Sequence, residues 1–506
     1  MKKIKADNKI FINALKNEPA LSFVYKLTKK FPRAEIYLVG GAVRDIILGR
    51  KTKDFDFVVR HLAVKKIEDF LSKLGKVNLV GKSFGVLKFV PRGSKIEAID
   101  IALPRTEHSL SFRGGYRDFK VQSDSRLPIK KDLERRDFTI NALAFEIKKG
   151  RLIDHFNGLS DLAAEKIKAV GSPEKRFKED HTRLLRGLRL SAILNFKIEE
   201  KTWSALKKLV PRLSGPALAR EVMAREILDS FKANPVRAFD LFDRSGVFKT
   251  LMPEIENLKK IPQPEIYHSE GDVFVHTRLA LEKIDSPPFL KILPPVKKDL
   301  ETILAVFFHD IGKGPTFTIS KKGREKHISF KGHDAVGEKI TAEIIKRLKL
   351  ESTGEIKKEN VVWLVKRHML LVVDDPYKLR AGTVEKIFFN PRVPGKKLLS
   401  LILADTLASL PKSGQPNTKG VRKMAKRVDE MKKMDKQRKS LPPPLISGHD
   451  IIKELKIKSG PAVGEMLSLA REKQLNSEIR TKKEALKFIK KYFYGKRNKS
   501  RRKRQG

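Results

Sequence analysis

Two aspartates, Asp54 and Asp56, have the residue type and spacing of a metal-binding pair. They lie in a β-rich run, and because side chains alternate across a strand, carboxylates at positions i and i+2 point to the same face. Two neighbouring carboxylates repel each other unless a divalent cation lies between them. Oxygen ligands suit Mg²⁺, which typically keeps waters and substrate phosphates in its remaining positions. The pair therefore predicts a catalytic magnesium site.

A glycine pair and an arginine precede these acids. Gly40 and Gly41 end a β-rich run (35–39) and begin a helical run (42–48) that contains Arg44. Glycine lets backbone N–H groups approach an anion at a helix N-terminus, where the helix dipole favours negative charge. Arg44 can add a charge-assisted contact to the same anion. The order of strand, glycines, helix and acidic strand therefore predicts a site for a nucleoside triphosphate and a metal.

A third acid, Asp100, lies in the alternating strand pattern KIEAIDIALPRTE. A neighbouring strand of the same sheet could bring it beside the first two acids. Three carboxylates can hold two metal ions, one to lower the pKa of an attacking hydroxyl and one to neutralise a leaving pyrophosphate. An ion pair with Arg105 is the alternative role for Asp100, and Glu97 and Glu107 are the other candidates for the third acid.

Polar side chains cluster again in the segment RRDFTINALAF, residues 135–145. Read as a helix, this segment brings Arg136, Asp137 and Asn141 within one or two turns. Arg136 suits phosphate oxygens, and Asp137 or Asn141 suits ribose hydroxyls, so the cluster predicts a choice of ribonucleotides over deoxyribonucleotides. A cluster of charges on a helix surface is the alternative.

Four charged residues follow at intervals of three: Asp180, Arg183, Arg186 and Arg189. On one helix they form a slowly drifting stripe. An aspartate accepts from the exocyclic amine of cytosine or adenine and an arginine donates to the adjacent ring nitrogen, whereas uracil and guanine present the opposite groups. A wrong base that leaves buried polar groups unpaired is rejected strongly. Asp180 and Arg183 are therefore predicted to select C and A without a template; a salt-bridged helix is the alternative.

A second set of residues that could do chemistry lies further along the chain. Histidine is scarce, 11 in all, yet several histidines occur in helical segments, some of them directly beside an acid. A lone buried histidine is usually a core residue, whereas a set of histidines and carboxylates suits a divalent metal. The members of this set are His276, His309, Asp310, His333, His368 and Asp405.

The chain has 506 residues, no cysteine and a formal net charge of +49, from 109 basic and 60 acidic side chains. The length allows three or four domains. The charge favours a polyanionic partner, RNA above all; a lysine-rich proteome or a need for solubility is the alternative. The lack of cysteine excludes disulfides and thiolate sites. No run approaches the roughly 20 apolar residues that span a bilayer, so we expect no membrane partner and a cytoplasmic location.

Together the N-terminal motifs resemble those of the class II nucleotidyltransferases, the bacterial tRNA CCA-adding enzymes and poly(A) polymerases. LVGGAVRDIILGRKTKDFDFVV resembles the family signature, and IDIALPRTE resembles the segment with the third acid. RRDFTINALAF matches the second motif almost letter for letter, LIDHFNGLSDL, with Asp154 and Gly158, resembles the third, and EDHTRLLRGLRLSA resembles the fourth. The fifth departs, because the family has glutamate four residues after arginine, whereas LAREVMAREIL places Arg220, Arg225 and Glu226 in another register.

The second set, in GDVFVHT, FFHDIGKG and LADT, resembles the HD phosphohydrolase superfamily. His333 and His368 resemble the additional ligands of its two-metal members. The resemblance implies a divalent metal of unknown identity and a phosphatase or cyclic phosphodiesterase activity.

For the reaction, the first resemblance implies in-line attack of an RNA 3′-hydroxyl on the α-phosphate of CTP or ATP. Mg²⁺ is expected on Asp54, Asp56 and Asp100, the three head acids. The expected partners are RNA, above all tRNA, together with CTP and ATP, with no obligate protein partner. The alternatives are a poly(A) polymerase, an enzyme that adds only A or only CC, a phosphohydrolase whose head holds RNA, and a non-catalytic RNA-binding protein. The implied nucleotide-binding residues are Gly40, Gly41, Arg44, Arg136, Asp137, Asn141, Asp180, Arg183, Arg186 and Arg189.

Composition and resemblance predict an α+β chain in which a head with a small mixed β-sheet precedes helical domains. The predicted segments are a helical lead-in (1–30), a nucleotidyltransferase head (31–155), a helical neck and body (156–260), an HD domain (261–410), a linker with a charged helix (411–445), a helical C-terminal module (446–493) and a basic disordered tail (494–506).

Overall fold

The computed structural model describes residues 8–52, 54–80, 85–94, 98–109, 119–216, 218–296, 299–322, 325–371, 376–433, 442–475 and 478–502. The chain divides into two compact units, Met1–Pro253 with Leu348–Ser352, and Glu254–Arg347 with Thr353–Gly506. A seven-stranded mixed sheet precedes a long series of helices, so the predicted α+β class is confirmed. The boundaries of the seven predicted segments stay predictions. No helix among the described residues is long and apolar enough to cross a membrane.

The first unit contains all strands of the main sheet. Its strands are β1 (Glu35–Val39), β2 (Asp56–Arg60), β3 (Gly75–Val80), β4 (Val86–Pro91), β5 (Ile99–Ala102), β6 (Arg105–Ser109), β7 (Phe119–Ser123), β8 (Leu143–Glu146), β9 (Arg151–Asp154), β10 (Lys166–Ile167) and β11 (Lys197–Ile198). Its helices are α1 (Asn8–Lys16), α2 (Ser22–Lys30), α3 (Gly41–Ile47), α4 (Val64–Leu71), α5 (Ile129–Glu134), α6 (Gly158–Ala163), α7 (Pro173–Glu179), α8 (Thr182–Leu194), α9 (Glu200–Leu209), α10 (Arg220–Ala233), α11 (Pro235–Ser245) and α12 (Val247–Leu251).

The second unit is helical apart from one hairpin, β12 (Thr318–Lys322) and β13 (Glu325–Ser329), among its described residues. The helices, the first of which begins at the unit boundary, are α13 (Pro253–Glu256), α14 (Val273–Lys283), α15 (Pro287–Leu290), α16 (Leu300–Phe308), α17 (Lys313–Thr316), α18 (His333–Arg347), α19 (Lys358–Arg367), α20 (Ala381–Phe388), α21 (Gly395–Ala408), α22 (Lys419–Lys433), α23 (Gly448–Leu455), α24 (Pro461–Leu475) and α25 (Lys482–Arg502).

The main sheet has the strand order β3-β4-β5-β2-β1-β8-β9. β2 and β5 are parallel, and the other neighbours are antiparallel. The register places Lys88, Asp100 and Asp56 directly opposite one another on β4, β5 and β2. Opposed residues on adjacent strands point to the same face. The sheet therefore presents a row of one lysine and two aspartates on one face.

The opposite face of the sheet is covered by the N-terminal helices. Phe23 of α2 packs edge-on against Phe57 and Phe89, and Phe11 of α1 stacks on Phe145 with ring centroids 4.4 Å apart. All five rings are at most 4% exposed. This aromatic layer leaves the aspartate-bearing face available for polar chemistry.

The strand that carries the acids is shorter than predicted. β2 begins at Asp56, so Asp54 lies in the preceding loop and its side chain is exposed. The pairing partner explains the difference, because β1 ends at Val39, opposite Asp56, where the chain turns at Gly40. Residues before Asp56 therefore have no residue of β1 to pair with.

The prediction of a helix over residues 135–145 is wrong. α5 ends at Glu134, a short 3₁₀ turn covers Thr139–Asn141, and β8 follows. Phe138 is fully buried in extended backbone, and it forms an isolated β-bridge with Ala169. Burial of this ring and the bridge override the helical pattern of the sequence.

The prediction that Asp180 and three arginines form one stripe on one helix is also wrong, because Asp180 lies outside the helix. α7 ends at Glu179, Asp180 has an extended backbone, and α8 carries the arginines. Oδ1 of Asp180 accepts hydrogen bonds from N and Oγ1 of Thr182, at 2.9 and 2.6 Å. Aspartate side chains that bond the following backbone favour such a break.

Two further expectations meet the limits of the described residues. Glu97 lies outside them, and the side chain of Glu107, on β6, is not described.

Gly158, from the third motif, occupies a position with no room for a side chain. A Cβ there would lie 2.3 Å from the carbonyl oxygen of Thr139 and 3.0 Å from Cδ2 of Leu143. We predict that Gly158→Ala destabilises the first unit by about 3 kcal/mol, the upper range for overpacking. Urea unfolding followed by fluorescence of Trp203, in a Trp363→Phe background, reports on this unit, because the two tryptophans lie in different units.

Gly150→Ala is the matched control. Gly150 has φ +58° and no atom within 4 Å of an added Cβ, so its substitution costs backbone strain of only about 1 kcal/mol. Equal losses in the two variants would contradict the steric explanation for Gly158.

Candidate functional site

The acidic row of the main sheet is crowded with like charge. Lys88 Nζ lies 3.2 Å from Oδ1 of Asp100, and Asp100 stands opposite Asp56. Burial raises the pKa of Asp56; Arg136 opposes this effect, whereas Asp100 and Asp54 add to it. Oδ1 of Asp100 is buried, and apart from this ion pair with Lys88 it makes no hydrogen bond within the described part of the chain. Carboxylates crowded in this way are suited to a divalent cation.

Asp54 differs from the other two acids because its side chain is exposed, in the loop before β2. Among the described residues, the three head acids do not form a compact group with ligand atoms within 4.8 Å of one another, as residues of the second unit do. The structure therefore brings Asp56 and Asp100 together and leaves Asp54 at their edge.

Gly40 lies beside this row, and the side chain of Arg136 passes over it. Gly40 has φ +76°, and a Cβ there would lie 2.7 Å from one terminal nitrogen of Arg136 and 3.7 Å from Oδ2 of Asp56. Asp132 is fully buried and forms ion pairs with Arg135 at 2.8 Å and Arg136 at 3.1 Å. The glycine thus makes space for a guanidinium that Asp132 anchors beside the acids.

A chain of hydrogen bonds joins three of the predicted motifs. Arg44, 8% exposed, makes a bidentate pair with Asp45 and donates to Oδ1 of Asn141 at 2.6 Å. The Asn141 amide donates to Asp137 at 3.1 Å, and Arg186 donates to the other Asp137 oxygen, also at 3.1 Å. The predicted nucleotide contacts Arg44, Asp137 and Asn141 are therefore bonded to one another in this structure.

Burial would raise the pKa of Asp137, but Arg186, Arg183 and the Asn141 hydrogen bond hold it at about 2. Asp137 is 6% exposed, so these partners, not water, compensate its charge. A buried carboxylate with this set of donors stays ionised at neutral pH.

The side chains of the predicted base-reading residues, Asp180 and Arg183, have different partners. Asp180 is buried and bonded to Thr182, as described above, whereas Arg183 donates to Glu179 at 2.9 Å and to the carbonyl oxygens of Arg176 and Arg135, each at 3.2 Å. Glu179 also pairs with Arg176 at 2.8 Å. Glu179 therefore fixes the direction of the Arg183 guanidinium, and the sequence analysis missed this residue.

The displaced fifth motif places a glutamate where two arginines meet. Glu226, on α10 and 5% exposed, lies 2.7 Å from Nε of Arg189 and 3.6 Å from Nε of Arg186. Burial raises the pKa of Glu226, and the two arginines oppose this. Arg220 instead donates to the carbonyl oxygens of Leu213 and Ser214. The carboxylate opposite the α8 arginines is therefore present although the spacing of the motif differs.

The six predicted residues of the second set converge in the second unit. His276 lies on α14, His309 and Asp310 directly follow α16, His333 begins α18, His368 follows α19, and Asp405 lies on α21. All except Asp405 are at most 7% exposed. Gly312 permits the approach, since a Cβ there would lie 2.0 Å from the carbonyl oxygen of His333.

The hydrogen bonds of the histidines fix which ring nitrogen faces the cluster. Nδ1 of His309, His333 and His368 lies 2.8, 2.9 and 2.6 Å from the carbonyl oxygens of Val306, Phe330 and Val365. A carbonyl oxygen only accepts, so each Nδ1 carries a hydrogen, and in its neutral form each ring directs the lone pair of Nε2 at the cluster. Nε2 of His333 and His368 lie 3.0 Å apart. Facing lone pairs at this distance are suited to an ion that both can bind.

Asp310 lies at the centre of the cluster. Its Oδ2 is 3.2 Å from Nε2 of His309 and 3.8 Å from that of His276, and its Oδ1 is 3.6 and 3.7 Å from those of His333 and His368. The two carboxylate oxygens thus face two different pairs of histidines. Such a carboxylate can bridge two metal ions.

The remaining acid completes the first of these pairs. Oδ1 of Asp405 lies 3.0 Å from Nε2 of His276 and 3.7 Å from Nε2 of His309. Burial would lower the pKa of His276, but hydrogen bonds to Asp405 and Glu270 raise it to about 9. Burial and the neighbouring His309 lower the pKa of His368 to about 4. A divalent ion bound here would take the place of the proton on His276.

The sequence analysis missed a cation and a pocket beside this cluster. Lys313 Nζ lies 2.7 Å from Oδ2 of Asp310 and donates to Gln263 at 2.8 Å. A surface pocket reaches Asp405 and His368 and is lined also by the exposed Tyr267, and by Met369, Leu371, Ile402, Thr406, Ser409, Pro411 and Asn417. The three-residue spacing of Asp310 and Lys313 is a signal that could have found the lysine.

Family models match three parts of the chain. The Poly A polymerase head domain matches residues 36–168, the probable RNA and SrmB-binding site of polymerase A matches residues 195–259, and the HD domain matches residues 272–404. The first includes the acidic row. The last includes all four histidines of the cluster and Asp310, and it ends one residue before Asp405.

Curated relatives resemble most of the chain. A multifunctional CCA protein of Nitrosococcus oceani is 33% identical over 70% of this chain and 78% of its own length, and one of Methylobacillus flagellatus is 33% identical over 62% and 70%. Among solved structures, the Bacillus stearothermophilus CCA-adding enzyme in complex with CTP has a TM-score of 0.60 at 22% identity over 100% of both chains. The Thermotoga maritima enzyme complexed with tRNA has a TM-score of 0.60 at 22% identity over 96% and 98%. At this identity the structures support the fold alone.

The pKa of Asp137 leads to a prediction about acid stability. An aspartate carboxyl whose pKa is about 2 in the folded state and has its ordinary value of 3.8 in the unfolded state stabilises the fold above pH 3.8. It loses that contribution as the pH falls towards 2. We predict that Asp137→Asn lowers the free energy of unfolding of the first unit near neutral pH, and that about 2 kcal/mol of this difference disappears between pH 5 and 2.

Urea unfolding at a series of pH values measures the difference. Asp69→Asn, at an exposed residue paired with Lys65, is the control and changes stability by less than about 0.5 kcal/mol throughout. A difference between wild type and Asp137→Asn that grows as the solution is acidified would contradict the prediction.

Proposed function

The chain belongs to the family of class II tRNA nucleotidyltransferases and poly(A) polymerases, and from this premise we propose that it adds C, C and A to the 3′ end of tRNA. The substrates are CTP and ATP, and pyrophosphate leaves. The observation that carries the proposal is the row of Asp56 and Asp100 beside Gly40 and Arg136. The names of the relatives favour the complete CCA triplet over a poly(A) tail. A tRNA substrate implies a cytoplasmic location.

The head acids fit Mg²⁺, because Asp56 and Asp100 stand directly opposite each other and burial and the neighbouring acids raise the pKa of Asp56. Asp56, Asp100 and Asp54 would hold the metal, which supplies activation of the 3′-hydroxyl and neutralisation of the leaving pyrophosphate. Arg136, which Asp132 orients over Gly40, contacts phosphate oxygens of the nucleotide. Gly40 and Gly41 keep side chains out of the path of the triphosphate, since a Cβ at Gly40 would collide with Arg136.

Base selection is assigned to Asp180 and Arg183. One oxygen of Asp180 is bonded to Thr182, and the carboxylate accepts from the exocyclic amine of C or A through the other. Arg183 donates to the ring nitrogen, with its guanidinium directed by Glu179. Uracil and guanine present a carbonyl and an N–H at these positions, so both contacts fail. Arg44, Asp137, Asn141, Arg186 and Arg189 form the bonded framework around the nucleotide and contact its phosphates and ribose.

A second activity is proposed for the histidine cluster, metal-dependent hydrolysis of a phosphate ester. The four histidines and two aspartates fit two divalent ions: His276, His309 and Asp405 with one oxygen of Asp310, and His333 and His368 with the other. The ions supply an activated water. Lys313, held beside Asp310, contributes a positive charge for the phosphate. The identity of the metal is open between ions that imidazole and carboxylate both suit.

The first experiment tests the transfer reaction. Wild-type protein with Mg²⁺ and each radiolabelled nucleoside triphosphate is given tRNA transcripts that end before, within and after CCA. We predict stepwise addition of C, C and A that then stops, and loss of transfer in the Asp54→Ala/Asp56→Ala variant, because the metal loses two carboxylates. ATP-only tails of uncontrolled length would instead identify a poly(A) polymerase, and addition of only A or only CC would identify a partial enzyme.

Asp69→Asn, at an exposed acid of α4 that contacts Lys65, is the matched control and keeps full transfer. Thermal unfolding of each variant checks that the fold is intact. Transfer that survives in the folded double variant would overturn the assignment of these acids.

The second experiment tests the histidine cluster. Bound metals are removed with a chelator, and the protein is then supplied with Mg²⁺, Mn²⁺, Co²⁺ or Ni²⁺. Its activity is assayed on p-nitrophenyl phosphate and bis(p-nitrophenyl) phosphate, which separate monoesterase from diesterase activity. We predict metal-dependent hydrolysis that is lost in Asp310→Asn, because the bridging carboxylate loses its charge, while CCA addition by the same variant is retained. Hydrolysis that resists both chelation and Asp310→Asn would rule out the proposed site.

A further inference from the structure

Glu270 is a buried acid of the second unit that the proposed metal ligands do not include. Its side chain is 3% exposed, and it lies in the segment before α14. Oε1 lies 2.7 Å from Nδ1 of His276 and 2.7 Å from Nδ1 of His268, and Oε2 accepts from the backbone N–H of Leu410 at 2.9 Å. Three donors thus converge on one carboxylate, behind the ring of a proposed ligand.

We propose that Glu270 is a positioning residue of the metal centre: it accepts the Nδ1 hydrogen of His276 and so directs Nε2 of that ring at the ion. The inference rests on the proposed metal-binding function of the cluster. A carboxylate behind a ligating histidine fixes the orientation of the ring and increases its basicity as a ligand.

The other three histidines explain why His276 needs such a partner. Each of them donates from Nδ1 to a carbonyl oxygen three residues earlier in its own segment. For His276 that position is Val273, whose carbonyl oxygen accepts from the hydroxyl of Thr277 at 2.8 Å. His276 therefore takes its acceptor from outside its helix, and Glu270 supplies it.

The same carboxylate also holds the end of α21, the helix that carries Asp405. Besides the bond from Leu410 to Glu270, the backbone N–H and the hydroxyl of Ser269 donate to the carbonyl oxygen of Leu410, at 2.7 and 2.8 Å. Leu410 follows Asp405 by five residues. Glu270 thus fixes His276 and the chain that carries Asp405 relative to each other, and these two ligands lie 3.0 Å apart.

A different role for these residues is a separate ion site, because ligand atoms of His268, Glu270 and His276 lie within 4.8 Å of one another. The hydrogen-bond geometry favours positioning, since Oε1 is already at 2.7 Å from both imidazole nitrogens. A metal ion there would have to replace both bonds. Metal stoichiometry distinguishes the two roles.

The test is a calorimetric titration of the 506-residue chain with Co²⁺ alone, after bound metals have been removed with a chelator. We expect Glu270→Gln to bind the same number of ions as wild type, with at least one site about 10- to 100-fold weaker. Glutamine keeps the volume but offers one oxygen and one amide nitrogen to three converging donors. Glu265→Gln, the same change at an acid that is 78% exposed, is the matched control and leaves the affinity unchanged.

Two further measurements separate positioning from a general loss of structure. Fluorescence of Trp363 in a Trp203→Phe background follows unfolding of the metal-free second unit, and CCA addition follows the first. Weakened Co²⁺ binding at a temperature where Glu270→Gln is fully folded supports the proposal. Equal affinities in wild type and variant, or one ion fewer in the variant, would overturn it, whereas no Co²⁺ binding by wild type would overturn the metal centre itself.

Discussion

The burial of Asp137 is the interaction on which the first unit depends. This carboxylate is 6% exposed and bonds to Asn141 and Arg186, and Asn141 accepts in turn from Arg44. Removing one partner of a buried ion pair costs about 3–5 kcal/mol, because the other charge is left uncompensated. Side chains from α3, the 3₁₀ turn before β8 and α8 are therefore held in one arrangement before any nucleotide arrives. A preorganised polar framework is what selection between similar bases requires.

The second unit meets the same constraint with different counter-charges. The buried acids Asp132 and Asp137 of the first unit face arginines, whose positive charge is permanent. Asp310 instead faces four histidines, and three of these carry a hydrogen on Nδ1, so that in the neutral form each directs a lone pair at the cluster. Arginines whose charge is permanent make a framework, whereas imidazoles, which can be neutral, allow an exchangeable ion to compensate Asp310 together with Lys313. The choice of counter-charge therefore separates a structural network from a metal centre.

Sequence reasoning reached the parts of the fold that depend on local pattern and on motif resemblance. It predicted the α+β class and the strand with Asp100, and the structure places Asp100 opposite Asp56. It failed over residues 135–145, because a buried Phe138 in extended backbone depends on a pairing with Ala169 that no local pattern contains. The pairing of Glu270 with His276, six residues later, also follows no helical or strand spacing. Asp132, three residues before Arg135, could have been found from helical spacing.

Glu226 places a carboxylate beside the α8 arginines although the spacing of the fifth motif differs. Its distance in sequence from an arginine departs from the family pattern, yet its carboxylate lies between Arg186 and Arg189, two successive arginines of α8. The physical requirement at this place is a buried negative charge that keeps those guanidinium groups apart and oriented. That requirement is set by the packing of α10 on α8, and neither arginine lies on the helix that carries the motif. A change of spacing within α10 is therefore compatible with the framework as long as one acid faces α8, and Arg220 is released to bond the carbonyl oxygens that precede its own helix.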